Sequence, residues 1–116
     1  MSSEPDSPNP YFYAGYGLLK LHRTEAALGH LERSNALNSN SVVLEALCEA
    51  HNQAGNFSKA IGYCEKSLEK DLNNPSAYSE IAKSYAGIRN PIKAYDNMMV
   101  AVSLNKAFYK NLKELC

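Results

Sequence analysis

Alanine recurs along this chain at a nearly constant interval, as Ala27, Ala60 and Ala94, and the neighbours of each alanine shift by the same steps. Four further positions match in each repeat. They hold Tyr11, Ala14, Gly15 and Leu18 in the first, Leu44, Leu47, Cys48 and His51 in the second, and Tyr78, Ile81, Ala82 and Tyr85 in the third. A period of roughly 34 residues predicts an array of helical hairpins, in which each unit buries its apolar side against its neighbours.

Turn residues and apolar spacing divide the chain into helices. The predicted helices are 10–22, 24–37, 42–54, 57–70, 76–88 and 91–105. Gly55 is expected to end the third helix in the left-handed conformation, and Thr24, Asn56 and Asn90 are expected to be N-caps. Arg89 stands where a turn glycine is expected. No segment alternates apolar and polar residues over a useful length, so no strand is predicted.

Each repeat begins its shared pattern with an aromatic or apolar residue, has a small residue four positions later, and carries alanine in its second half. In these features it resembles the tetratricopeptide-repeat (TPR) family. The resemblance implies an all-α fold of three tandem hairpins in a right-handed superhelical stack, followed by a C-terminal capping helix. The segments are a disordered leader at 1–9, three repeats within 10–106 (about 8–40, 41–74 and 75–106), and the cap at 107–116. Phe108, Leu112 and Leu115 would give the cap its apolar face.

Charge and composition exclude several classes of function. Twelve basic and twelve acidic residues give no net charge, so no overall field favours nucleic acid or a membrane surface. No apolar stretch is long enough to span a bilayer, and the N-terminus lacks the pattern of a secretory signal. Three cysteines without CxxC spacing argue against a disulfide framework or a zinc site, which predicts a reducing, cytoplasmic location.

The residues give no positive reason to predict an enzyme or a cofactor. Cys48 and His51 are one helical turn apart, but both align with packing positions of the other repeats and are interpreted as core residues. His22 and His30 lack further ligands at helical spacing, so no metal is expected.

Helical phase predicts which residues line the concave groove that the first helices of the hairpins form in such arrays. The expected groove residues are Phe12, Tyr13 and Tyr16 from the first repeat, Glu45, Ala46, Glu49, Asn52 and Gln53 from the second, and Ser76, Ser79, Glu80 and Lys83 from the third. This set gives an aromatic entrance and an acidic floor. The residues chosen for peptide binding are Phe12, Tyr13, Tyr16, Glu45, Glu49, Asn52, Glu80 and Lys83.

Within the family, the layout resembles the co-chaperone type, such as the small glutamine-rich TPR proteins. Those proteins hold a C-terminal carboxylate with lysine, arginine and asparagine side chains. The matching positions here carry Phe12, Tyr16, Ala46, Ser76 and Glu80. No clamp residue is present and one charge is reversed, so an acidic EEVD-type tail is not expected to bind in this way.

The predicted function is protein–protein interaction. The chain would act as an adaptor that binds a partner peptide with apolar or aromatic and some basic residues in its groove. One alternative is a self-associating scaffold piece of a larger assembly, with a homodimer as one form. Another is a targeting module cut from a larger enzyme. The exposed aromatics suit a ligand groove and a self-contact equally well.

Overall fold

The computed structural model describes residues 10–105, and this part of the chain is built from helices. The six helices are α1 (Pro10–Lys20), α2 (Thr24–Leu37), α3 (Ser41–Ala54), α4 (Phe57–Lys70), α5 (Pro75–Gly87) and α6 (Pro91–Leu104). They agree with the six predicted segments to within two positions at each end. The predicted leader at 1–9 and capping helix at 107–116 lie outside the described residues.

Consecutive helices pair into three hairpins, which stack in chain order. Within the hairpins α1 packs on α2, α3 on α4, and α5 on α6, while α2 contacts α3 and α4 contacts α5 between hairpins. The first helices of the hairpins also touch directly, α1 with α3 and α3 with α5. These three helices therefore form one continuous side of the stack, and the predicted all-α repeat fold is confirmed.

The first and third hairpins close where a small residue of the first helix meets a larger one of the second. In the first hairpin, a Cβ atom placed on Gly15 would lie 2.7 Å from Cγ of Leu31, so any larger residue there would force Leu31 to shift. In the third, the equivalent pair is Ala82 and Met98, both buried in one cluster. The alignment of these positions across repeats thus reflects one repeated helix crossing.

In the second hairpin the same crossing is closed by a disulfide bond between Cys48 and Cys64, whose Cα atoms are 5.3 Å apart. Both side chains are completely buried. The sequence argument against a disulfide framework is therefore wrong for this pair: two cysteines on facing helices meet without any CxxC spacing. The bond also removes the cysteine argument for a reducing compartment, so the cellular location stays a prediction. No helix among residues 10–105 is long and apolar enough to cross a membrane.

The helix ends follow the predicted turn chemistry in part. Gly55 has a positive φ of 83° after α3, and Asn90 accepts a hydrogen bond from the Lys93 backbone at 3.2 Å, both as predicted. Arg89 takes a φ of 65° itself, so the turn keeps its left-handed residue without glycine.

Two predicted N-caps do not form as such. Thr24 is the first residue of α2 rather than its cap, and its hydroxyl donates to Oε1 of Gln53 at 2.9 Å. Asn56 occupies the cap position of α4, but its side chain lies 3.4 Å from Nδ1 of His51 instead of bonding the helix backbone. In both cases the polar side chain makes another contact, which replaces the local capping bond.

Candidate functional site

A groove of about 380 Å³ runs across α1, α3 and α5. Its lining comprises Phe12, Tyr16, Lys20, Val42, Glu45, Ala46, Glu49, Ser76, Ser79, Glu80 and Lys83. The first helices of all three hairpins contribute, because they touch each other along one side of the stack. This is the concave arrangement that helical phase predicts for these helices.

Six of the eight residues chosen from the sequence line this groove: Phe12, Tyr16, Glu45, Glu49, Glu80 and Lys83. Tyr13 does not line it; this residue is 65% exposed, and its ring lies beside Phe12 with 5.7 Å between the ring centres. Asn52 is not part of the lining either. The structure therefore brings most of the set together and leaves two members outside.

The aromatic end of the groove is a stack of two rings. The rings of Phe12 and Tyr16 are 5.6 Å apart and only 17° from parallel. Phe12 is 7% exposed, while Tyr16 is 39% exposed, so Tyr16 supplies the ring surface open to the groove. The ammonium of Lys20 lies 4.7 Å from the centre of the Tyr16 ring. That is a cation–π distance, so a ligand here meets an aromatic face with a cation beside it.

The acidic floor already has partners within the chain. Glu49 pairs with Lys20 at 3.1 Å, and Glu45 accepts hydrogen bonds from the Asn74 amide at 2.9 Å and from the Ser76 hydroxyl. These contacts join α1 to α3 and α3 to the start of α5. Partly exposed ion pairs are worth about 0–1 kcal/mol, so a ligand cation could displace Lys20 at small cost.

Glu80 is the most deeply buried carboxylate of the groove. Its oxygens accept from the Asn52 amide at 3.0 Å and from the Lys83 ammonium at 3.2 Å. Burial raises the pKa of Glu80 because desolvation disfavours the charged form; Lys83 and the Asn52 hydrogen bond oppose this, and the nearby Glu49 adds to it. The groove lining holds three carboxylates, Glu45, Glu49 and Glu80, and two lysines, Lys20 and Lys83. It therefore carries one excess negative charge.

Asn52 and Gln53 hold the wall of the groove in place. Besides the Glu80 carboxylate, the Asn52 amide bonds the Glu80 carbonyl at 3.0 Å and accepts from the Ser84 hydroxyl at 2.6 Å. Gln53 donates to the Leu19 carbonyl at 3.1 Å and so ties α3 to the end of α1. Both side chains therefore bridge neighbouring hairpins and already have hydrogen-bond partners within the chain.

Two lining residues, Lys20 and Val42, were missed by the sequence interpretation. Lys20 lies one turn beyond Tyr16, and Val42 lies one turn before Glu45. Extending the groove phase by one turn at each helix end would have identified them. The cation matters most, since it halves the excess of negative charge expected for the groove.

The cysteine–histidine pair cannot act as a nucleophile and base, because Cys48 is bonded to Cys64. His51 is only 4% exposed, and its ring stacks on Tyr63 with 5.3 Å between ring centres. Burial lowers the pKa of His51, with Lys59 acting in the same direction and Glu32 opposing it. No group of three or more metal-ligating side chains occurs among residues 10–105.

Comparisons with known proteins find likeness at the level of structure. No protein-family model and no curated protein sequence matches the chain. The TPR domain of OM64 from Arabidopsis superposes with a TM-score of 0.82 at 20% identity, covering 90% of each chain. The second TPR domain of human RPAP3, solved with the HSP70 peptide SGPTIEEVD, gives 0.80 at 16% identity over 90% of this chain and 91% of that one.

A third similar structure comes from a bacterial chaperone. The type III secretion chaperone SycD of Yersinia enterocolitica, in complex with a peptide of the translocator YopD, has a TM-score of 0.82 at 13% identity, covering 90% of this chain and 86% of that chain. Identities this low establish architecture and leave the ligand open. With three stacked hairpins and these structural neighbours, the chain has the fold of a tetratricopeptide-repeat domain.

Proposed function

We propose that this chain is a protein-interaction module that binds an extended or helical peptide of a partner in the groove of α1, α3 and α5. The observation that carries the proposal is the aromatic stack of Phe12 and Tyr16 at one end of a groove whose floor is built from carboxylates. The RPAP3 domain and SycD were each solved with a peptide of another protein, which supports the same use of this fold.

The groove chemistry favours a peptide with an aromatic or aliphatic residue and a lysine or arginine. Tyr16 offers a partly exposed ring of the kind that dominates binding energy at interfaces. The excess negative charge attracts a basic peptide and repels an acidic one. Glu49 is the carboxylate that a ligand cation would meet beside Tyr16, since its present partner Lys20 contacts both residues.

A phage-displayed library of short random peptides tests this proposal without a known partner. We expect wild-type protein to enrich sequences that combine aromatic or aliphatic residues with lysine or arginine. Tyr16→Ser/Glu49→Lys should lose the enriched clones. Tyr13→Ser/Glu65→Lys is the matched control, with the same changes at exposed positions outside the groove lining. No enrichment, or clones that bind the groove variant equally, would contradict the proposal.

A further inference from the structure

The outer face of α6 breaks the pattern set by the other second helices. Four of its positions carry Ile92, Met99, Val100 and Leu104, which are 74, 40, 38 and 41% exposed. At the equivalent places α4 has Ser58, Glu65, Lys66 and Lys70, and α2 has Glu25, Glu32, Arg33 and Leu37. The repeats that precede α6 thus keep this face mostly charged, whereas α6 has an apolar residue at each of the four positions.

A further helix stacked on α6 would leave Ile92 and Met99 open. On α4 the following hairpin packs over Phe57, whose ring meets Gly87, and over Leu68, which clusters with Ala77. Ser58 and Glu65 stand on α4 at the positions equivalent to Ile92 and Met99. Both are polar, and both stay exposed although α5 packs on α4. The apolar face is therefore wider than stacking requires.

We propose that this face is a homodimer contact in which α6 of one copy pairs antiparallel with α6 of a second copy. Ile92 and Met99 are separated by two turns of helix, so they lie on one line along α6. In the two-fold pairing that sets Ile92 of each copy against Met99 of the other, Tyr95 falls opposite Asp96. The Tyr95 phenol can donate a hydrogen bond to the Asp96 carboxylate of the other copy, so both polar side chains at this contact gain a partner.

Charge also permits two copies to meet. The chain has no net charge, so copies do not repel one another at long range. A contact limited to one pair of helices, each only a few turns long, belongs with the small, weak interfaces. The dimer is therefore expected to dissociate on dilution.

Light scattering after size exclusion tests the contact on the full chain, over about a hundredfold range of concentration, because mass action makes a weak dimer concentration-dependent. Wild type should pass from monomer to dimer. Ile92→Ser/Met99→Glu, which installs the residues of α4, should stay monomeric. Leu21→Ser/Leu72→Glu makes comparable changes at exposed apolar positions away from α6 and should dimerise like wild type.

A charge swap tests the antiparallel register. Ile92→Glu alone and Met99→Lys alone should each give a monomer, since each places an unpaired charge against an apolar side chain. When both changes are made in one chain, the new carboxylate of each copy faces the new ammonium of the other. Two ion pairs can then form, so the double variant should dimerise again, less strongly at high salt. A wild-type monomer at every concentration, a dimer insensitive to the Ser/Glu change, or a dimer lost with Tyr16→Ser would overturn the proposal.

Discussion

The side-chain amide of Asn52 on α3 donates to both the backbone carbonyl and the carboxylate of Glu80 on α5, each at 3.0 Å. Its oxygen accepts from the hydroxyl of Ser84 on the same helix as Glu80. One asparagine thus satisfies three polar groups, and both residues that carry them are buried. This network fixes the second hairpin against the third at the floor of the groove.

Replacing Asn52 with alanine is expected to lower the free energy of unfolding by about 1–3 kcal/mol, because buried polar groups lose their partner. Urea unfolding measures the loss. Asn73→Ala, at an exposed loop position, is the control and should change stability little. An Asn52→Ala protein as stable as wild type that nevertheless lost peptide binding would assign Asn52 to the ligand instead, as the sequence interpretation did.

The first hairpin offers a sharper comparison between two glycines of α1. A Cβ atom at Gly15 would overlap the Leu31 side chain and crowd its backbone nitrogen, whereas one at Gly17 meets nothing within 4 Å. Gly15→Ala should therefore destabilise the fold by about 1–3 kcal/mol through overpacking. Gly17→Ala should stabilise it by about 0.5–1 kcal/mol through helix propensity. Thermal unfolding of both variants checks the pair; equal effects would show that α1 does not pack on α2 at Gly15.

The repeat period predicted this crossing, but not the individual contacts across it. Spacing alone aligned Gly15, Cys48 and Ala82 as small residues at a helix crossing, because every hairpin repeats one geometry. It could not show that Cys48 bonds Cys64, since that depends on which side chain stands opposite on the second helix. Nor could it show that the Asn52 amide bonds Glu80, a partner on another hairpin that only tertiary packing brings within reach.

Reduction of the Cys48–Cys64 bond should lower the free energy of unfolding by about 3 kcal/mol, the value that loop entropy gives for short closed loops of this kind. The comparison is best made in a Cys116→Ser background, unfolded in urea with and without dithiothreitol. Cys48→Ala/Cys64→Met installs the residues of the third hairpin and should be insensitive to the reductant. Identical urea midpoints for the parent protein in both conditions would contradict a stabilising bond.

Glu80 predicts a pH dependence of stability. Its pKa is higher in the folded chain than in the unfolded chain, so the folded state binds the proton more tightly. Stability therefore falls as pH rises from the ordinary glutamate value of about 4.3, and the loss is complete above the folded pKa. Glu80→Gln does not titrate, so its stability relative to wild type should increase with pH across that interval.

Urea unfolding at a series of pH values gives this difference. The slope is the test, since the ion pair with Lys83 forms only with the ionised carboxylate and therefore already acts through the pKa of Glu80. Glu69→Gln on the exposed side of α4 is the control for the Glu-to-Gln change itself. A difference that falls with rising pH would mean that Lys83 and Asn52 outweigh desolvation.

The peptide SGPTIEEVD, with which the RPAP3 domain was solved, should not bind this chain. The five positions that a carboxylate clamp requires lie in the groove, but they present Phe12, Tyr16, Ala46, Ser76 and Glu80. None of them carries a positive charge to pair with a carboxylate, and Glu80 repels one. Fluorescence anisotropy with the labelled peptide should therefore show no saturable binding in the micromolar range.

Glu80→Arg supplies the diagnostic variant. Replacing the repelling carboxylate with a guanidinium should raise affinity for the acidic peptide at low salt. The gain in affinity should be larger than the gain for the same peptide with an amidated C-terminus. Glu69→Arg adds the same charge away from the groove and controls for nonspecific attraction. Micromolar binding by wild type that weakens in Glu80→Arg and requires the free carboxylate would show that this groove holds acidic tails through a set of residues other than the clamp.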